Sequence, residues 1–299
     1  MLIEDFWVML TAGLVASSCG FIGVYLILRR MAMVGDAISH SVLLGIVLAF
    51  LATRILGGVW MFAGAAVAGL FATFLIQLLH RGGAREDAAI GVTFTGLFAL
   101  GVVLLSLYAG DVHLDTEHVL FGELAYVPYD VLIWQGVELG PRAVWTVGAA
   151  FGLTLLVTGL LFKEFKVCAF DPAFALSLGI PVTLLHYVQM TLVSVTTVAA
   201  FESVGAVLAV AMLIVPGATA YLLTDRFGWM LGLSVVTGVV SAWTGYAVAV
   251  WLDVSISGAM ATAAGAVFGL AFLFAPRHGV LPTALRRRRL TRGGTGAVA

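Results

Sequence analysis

Between residues 6 and 276 the chain is dominated by stretches that contain no Asp, Glu, Lys or Arg: 6–28, 37–53, 55–79, 88–110, 143–162, 172–201, 203–224, 227–252 and 254–276. A helix rises about 1.5 Å per residue, so most of these match the roughly 20 residues needed to cross a hydrocarbon core ~30 Å thick. A soluble domain of 299 residues could not hide the rest: 62% of the chain is hydrophobic and 10% is charged. The expected fold is an all-α polytopic membrane protein with eight or nine transmembrane helices. No segment between the runs is long enough for a separate soluble domain, and none has the pattern of a cleaved signal peptide.

The net charge of -1 conceals a sorting of sign along the chain. If Arg29 and Arg30 end the first span on the cytoplasmic side, then Arg81, Arg85, Lys163, Lys166, Arg226, Arg277 and the stretch from Arg286 to Arg292 also fall inside. Only Arg54 and Arg142 fall outside, in accord with the positive-inside rule. Nine spans with the N-terminus out and the C-terminus in fit this pattern. Glu4, Asp5, Asp111, Asp115, Glu117, Glu123, Asp130, Glu138 and Asp253 then lie at or near the outer face, where acids concentrate cations. Any one of them could equally be a loop-solvating group. Residues 1–280 read as the membrane domain. Residues 281–299 read as a basic, disordered cytoplasmic tail suited to anionic lipid. Cys19 and Cys168 fall in a span and in a cytoplasmic segment, so no disulfide is expected between them.

Two regions break the pattern. Residues 108–142 mix acids, aromatics, Gly and Pro, and predict an external loop with a re-entrant or interfacial piece around 119–137. Residues 182–223 must cross twice, yet offer only Glu202 and Ser203 as a turn. Short helices or a helix broken within the membrane would result, and broken helices often line transport sites.

Asp36 and His40 stand four residues apart within "MAMVGDAISHSVLLGIVLAF", so on a helix they share one face. Counting from Arg30, Asp36 lies about 9 Å and His40 about 15 Å deep, and an ionisable group at such depth costs about 2.5–3.5 kcal/mol on the lenient insertion scale. One carboxylate with one imidazole suits Mn, Fe, Zn or Co, whereas Ca and Mg prefer oxygen and Cu(I) prefers sulfur. Two ligands are too few, so the others must come from water, other helices or a second copy of the chain facing a two-fold axis. An Asp–His hydrogen bond that pins the helix, or a proton relay, would use the same spacing. Glu202 is a weaker metal-site candidate for the outer half of a pathway. His113, Asp115, Glu117 and His118 form an outer group that could equally contact a partner, and Glu86 and Asp87 suit a helix N-terminus.

After Lys163 and Lys166, Asp171-Pro172 is a helix-start signal and Gly179-Ile180-Pro181 a stop, predicting a short cytoplasmic helix over about 170–180. It would have no core of its own, and it could be a partner's docking element or a tight loop.

The blocks "GDAISHSVLLGIVLAF", "REDAAIGVTFTGLFALGVVLLSL", "VLFGEL", "KEFKVCAFDPAFALSLGIP" and "VGAVLAVAMLIVPGATAYLLTDR", in this order over about residues 10–275, resemble the membrane permease subunits of the manganese/zinc/iron ABC importers, the metal-type ABC-3 family. The resemblance implies a type II ABC importer in the inner (plasma) membrane of a prokaryote. In such an importer two permeases pair, two cytoplasmic ATPases dock beneath them, and an extracytoplasmic metal-binding protein delivers the ion. It implies that Asp36 and His40 hold the transported metal, and that Phe170, Asp171, Ala175, Leu178 and Gly179 belong to the segment entering the ATPase cleft. The family block often has Pro where this chain has Leu44, and "ELGPRA" resembles an insertion.

The function expected is the permease of an ATP-driven manganese importer acting as a homodimer in lipid. Zinc or iron is the alternative cargo, and a proton-coupled secondary transporter the more distant rival. No permanently bound cofactor and no nucleic-acid partner are expected. The chain has no H-E-x-x-H motif for an intramembrane metalloprotease and no G-x-x-x-x-G-K-[ST] loop to cradle ATP, so it is read as a transport subunit rather than an enzyme.

Overall fold

The computed structural model describes residues 2–54, 59–108, 124–134, 137–275 and 279–280. The tail 281–299, the outer group His113, Asp115, Glu117 and His118, and most of the 108–142 loop before residue 124 lie outside the described residues.

Among the described residues, nine helices are long and apolar enough to cross a membrane. They are α1 (Leu2–Leu28), α2 (Ala32–Thr53), α3 (Val59–Arg81), α4 (Glu86–Tyr108), α5 (Arg142–Leu160), α8 (Val182–Val204), α9 (Ala206–Leu223), α10 (Phe227–Leu252) and α11 (Ile256–Phe274). The short helices α6 (Phe162–Phe170) and α7 (Pro172–Ser177) stand between α5 and α8. Helix α4 begins at Glu86 and Asp87, which place two acids at its positive dipole end. Cys19 and Cys168 are free and buried.

The bundle has two halves. Helix α2 packs on α3 and α4, while α1 packs on α9 and α10, with α11 covering α9 and α10. Helix α8 joins the halves by touching α1, α2, α3, α5 and α9. In lipid the hydrophobic effect does not draw helices together, so backbones must approach closely enough for dispersion to act. Glycine makes this possible at each main seam. A Cβ on Gly45 of α2 would overlap the Gly64 carbonyl of α3, and one on Gly64 would lie 2.6 Å from the Gly45 carbonyl oxygen. A Cβ on Gly23 of α1 would overlap the Leu213 carbonyl of α9, and one on Gly238 of α10 would lie 2.9 Å from the Ala16 carbonyl oxygen.

In the described part of the first irregular region the interfacial rather than the re-entrant alternative holds, and in the second the turn falls after Glu202 and Ser203. Residues 124–141 contain no re-entrant helix. A 3-10 turn at Val127–Tyr129 leads into an antiparallel hairpin of β1 (Val131–Trp134) and β2 (Val137–Pro141), with an irregularity between Val131 and Ile133. The hairpin satisfies its own backbone groups, as a short apolar segment beside a membrane must. The stretch resembling an insertion is therefore β2 and the first turn of α5. Between α8 and α9, Gly205 alone makes the reversal, at φ +79 and ψ 170, a conformation reserved for glycine. Its N–H closes α8 on Phe201 O (3.0 Å) and its carbonyl opens α9 from Ala209 N (3.1 Å). Both helices thus keep 23 and 18 residues without a mid-membrane break.

At the inner end, Asp171 caps α7 by accepting from Phe174 N at 2.9 Å, with Pro172 at the first helical position. Gly179, at φ +76, turns the chain towards α8. The expected short helix is thus present, though only six residues long. Its base is held by edge-on aromatic contacts: Phe170 with Phe227 (6.1 Å), Phe227 with Tyr25 (5.3 Å), and Tyr25 with Phe165 (5.6 Å).

The α2–α3 seam supplies a direct test. Gly45→Val forces side-chain volume into backbone and is expected to cost about 1–3 kcal/mol. The detergent-solubilised chain should melt at a lower temperature, whereas Gly91→Ala, where an added Cβ meets nothing within 4 Å, should leave Tm unchanged.

Candidate metal site

Helix α2 follows α1 after a two-residue turn in which Arg30 takes φ +60 and Met31 N donates to Leu26 O at 2.8 Å. Asp36 is therefore in the second turn of α2 and His40 one turn further out. Leu44 interrupts nothing: α2 is continuous from Ala32 to Thr53, and α4 approaches closely enough at Gly101 that a Cβ there would lie 3.0 Å from Leu44 N.

Val34, Ala37, Ile38, Ser41 and Val42 face the bundle and are buried. Met33, Asp36 and His40 share the opposite, open side, with Met33 54% exposed and the His40 and Asp36 side chains 35% and 39% exposed. One wall of this side belongs to α4, where Phe94 stacks on the His40 ring (5.4 Å, 28°) and Phe98 meets it edge-on (5.7 Å, 78°). These rings restrict the imidazole while leaving its Nε2 edge towards Asp36.

His40 Nε2 stands 3.6 Å from Asp36 Oδ1. That is too long for a hydrogen bond, so the reading of a pair that merely pins the helix loses its main contact. It suits chelation. Two donor atoms each about 2.1 Å from one ion sit about 3.0 Å apart at a right angle and about 3.4 Å apart at the tetrahedral angle. Among the described residues no group of three His, Cys, Asp or Glu side chains comes together. One copy thus presents two ligand groups on an open face, fewer than a first-row metal requires.

Glu202 does not join them. It is in the last turn of α8 and lines a separate outer cavity of about 150 Å³ with Asp130, Arg142 and Thr146. Ser194 of α8 lies level with Ile38, since both meet the space a Cβ on Gly69 of α3 would occupy. Glu202 is eight residues further along α8, about 12 Å higher. Arg142 offers it a local counter-charge from the same cavity.

Phe170 and Leu178 are 55% and 57% exposed, Ala175 is fully buried, and Asp171 and Gly179 form the cap and the turn described above. The α7 stub thus rests on the bundle through Ala175 and leaves an apolar outer side.

Sequence reasoning missed two features. The aromatic wall of His40 was hidden in "TFTGLF", where Phe94 and Phe98 have the spacing of any apolar helix face. The second is a polar cluster at the inner end: Arg29 Nη1 lies 3.0 Å from His186 Nδ1 and donates to Gln189 Oε1 at 3.1 Å, and the Gln77 amide reaches His186 Nε2 at 2.6 Å. Its signal was His186 and Gln189, three residues apart inside an otherwise apolar run.

The family model for the ABC 3 transport family matches residues 5–275. The chain is 55% identical over 290 residues to the manganese transport system membrane protein MntD of Bacillus subtilis, covering 97% of this chain and 98% of that protein. It is 45% identical to the zinc transport system membrane protein TroD of Treponema pallidum, covering 95% of this chain and 77% of that protein. A solved structure described as PsaBC from Streptococcus pneumoniae in complex with Fab superimposes with a TM-score of 0.76 at 30% identity, over 93% of this chain and 98% of that one. With the family model spanning every described transmembrane helix and the fold matching at this level, the chain belongs to the ABC 3 transport family and is a membrane permease of its metal-transport type.

Proposed function

We propose that the chain is the pore subunit of an ATP-driven importer of divalent transition metal, manganese first, and that it works as a dimer of identical copies. The observation that carries this reading is the Asp36–His40 pair: two ligand groups 3.6 Å apart, walled on one side by α4 and otherwise open at the edge of the protomer. Two copies related by a two-fold axis would bring two carboxylates and two imidazoles around one ion. Waters could complete the set, which keeps the ion exchangeable; conduction needs a site that releases as readily as it binds. Acids at the outer ends of the spans, Asp5, Asp130, Glu138 and Asp253, favour entry of a cation from outside. An odd number of spans among the described residues, with basic residues at alternate ends, supports a cytoplasmic C-terminus.

The motor is a separate ATPase, two copies per importer, reached through α7. The exposed side chains of Phe170, Phe174, Leu176 and Leu178 make an apolar stub that projects from the bundle and suits a cleft in a partner. An extracytoplasmic metal-binding protein delivers the ion to the outer face. Manganese is favoured over zinc because the more similar of the two relatives carries manganese in its name, and the mixed oxygen–nitrogen donor set accepts either metal.

ATP-driven uptake in proteoliposomes containing the chain and its ATPase tests the whole reading. Manganese should accumulate only with ATP; accumulation driven by a proton gradient without the ATPase would establish the secondary-transport alternative, and preferential uptake of zinc or iron from an equimolar mixture would change the cargo. Asp36→Ala and His40→Ala should each reduce uptake at least about 100-fold, the scale on which losing a metal ligand or its support acts, with the ATPase still bound. Uptake near the unsubstituted level in both variants would rule out the site. Phe170→Asp combined with Leu178→Asp should lower the amount of ATPase that co-purifies at least about tenfold, because burying a charge in an apolar cleft is costly. Undiminished co-purification would place the dock elsewhere.

A further inference from the structure

The Asp36–His40 pair is remote in sequence from the stub that would meet the ATPase, and the inner polar cluster lies between them. Arg29 ends α1 and leads through the Arg30–Met31 turn into α2, with Asp36 seven residues on. His186 and Gln189 sit in the first two turns of α8. Gln77 belongs to α3, whose Gly64 locks it to α2. The stub is tied to α8 by a short, hydrogen-bonded turn: Ile180 N donates to Ala175 O at 3.1 Å and Val182 N to Ile180 O at 2.8 Å. These bonds give a displacement of α7 a short route into the first turn of α8.

The cluster has a direction set by its chemistry. A guanidinium only donates, so His186 Nδ1 must accept from Arg29 and the ring proton resides on Nε2. The Gln77 amide must then turn its oxygen to the ring, an orientation related by a half-turn to one with nitrogen there. His186 is 5% exposed and Gln189 3% exposed, while Arg29 and Gln77 are half-buried. Gln189 Nε2 is buried without a partner, which marks an arrangement that leaves one donor unmet. Beside the cluster is a cavity of about 570 Å³ that gives these side chains room to rearrange. Arg29, Arg30, His80, Arg81 and His186 line it against the one carboxylate of Glu86, a charge balance that makes it a poor exit for a dication. Two turns above the cluster, Ser194 Oγ donates to Ala66 O of α3 at 3.1 Å, at the level where Gly69 lets α8 and α3 close on Ile38 between the two metal-site residues.

We propose that Arg29, Gln77 and His186 form the polar joint that carries movement of the ATPase-facing stub to the Asp36–His40 pair, with His186 as the positioning residue at its centre. The inference rests on the ATP-driven import reading. The joint ties three helix ends that have no covalent reason to move together: the end of α1 that orients α2, the inner end of α3, and the start of α8. Breaking it leaves the metal ligands and the dock untouched but separates their motions.

The test measures manganese uptake and ATP hydrolysis in the same proteoliposomes holding the full permease–ATPase complex. His186→Phe and Arg29→Gln should keep hydrolysis within about twofold while manganese taken up per ATP falls about tenfold or more, the scale of one lost charge-assisted hydrogen bond. The double variant should lose no more than either single one, as members of one unit do. Gln77→Glu, which can only accept, should retain the coupling ratio, whereas Gln77→Lys, which can only donate, should lose it. An unchanged ratio in His186→Phe, or equal ratios in the two Gln77 variants, overturns the joint. Assembly, hydrolysis and uptake falling in parallel in His186→Phe also overturns it, by making the cluster a structural clamp. Absence of ATP-driven uptake by the unsubstituted chain overturns the import reading and the joint with it.

Discussion

Helices surrounded by lipid gain little by burying apolar surface against one another, so everything in this bundle depends on how closely backbones can touch. The chain solves this with glycine at the seams: Gly45 against Gly64, Gly23 against Leu213, Gly238 against Ala16 and Gly245 against Met260. The contacts are stiff, since no side chain lies between the backbones to take up movement. Helix α2 is thus held from one side by α3 and from another by α4 at Gly101, and the open side that remains is where Asp36 and His40 project. Close packing of the covered face and exposure of this pair are two sides of one arrangement.

Polar groups are distributed by the same logic. Most hydroxyls within the spans donate to a carbonyl three or four residues back on their own helix, as Thr11, Ser17, Thr73 and Thr219 do, and so cost little in lipid. Ionisable and amide side chains also meet in three places: Asp36 with His40, the Arg29–His186–Gln77 cluster, and the cavity shared by Glu202, Asp130 and Arg142. These lie at different levels of the bundle.

Much of the fold could be read directly. Charge-free runs of membrane length gave the spans, because the bilayer imposes one length on every crossing. Asp171, Pro172 and Gly179 announced the stub through capping chemistry that is local by nature. The hairpin at 131–141 fits the interfacial rather than the re-entrant alternative, and the sequence left the two open because four or five apolar residues do not reveal whether their backbone bonds are made within a helix or across to a neighbour. That Glu202 shares a cavity with Arg142, sixty residues earlier, and not with the Asp36–His40 pair could not be read from the sequence.

By itself, the sequence determined that Asp36 and His40 share a helix face at membrane depth, for a four-residue spacing leaves them nowhere else to point. Tertiary structure alone decided that this face stays open, that Phe94 and Phe98 hold the imidazole, and that His186 finds Arg29 and Gln77 on two other helices. The reason is one of range: helix periodicity acts over a single turn, whereas the partner a side chain meets is chosen by which helices can approach backbone to backbone.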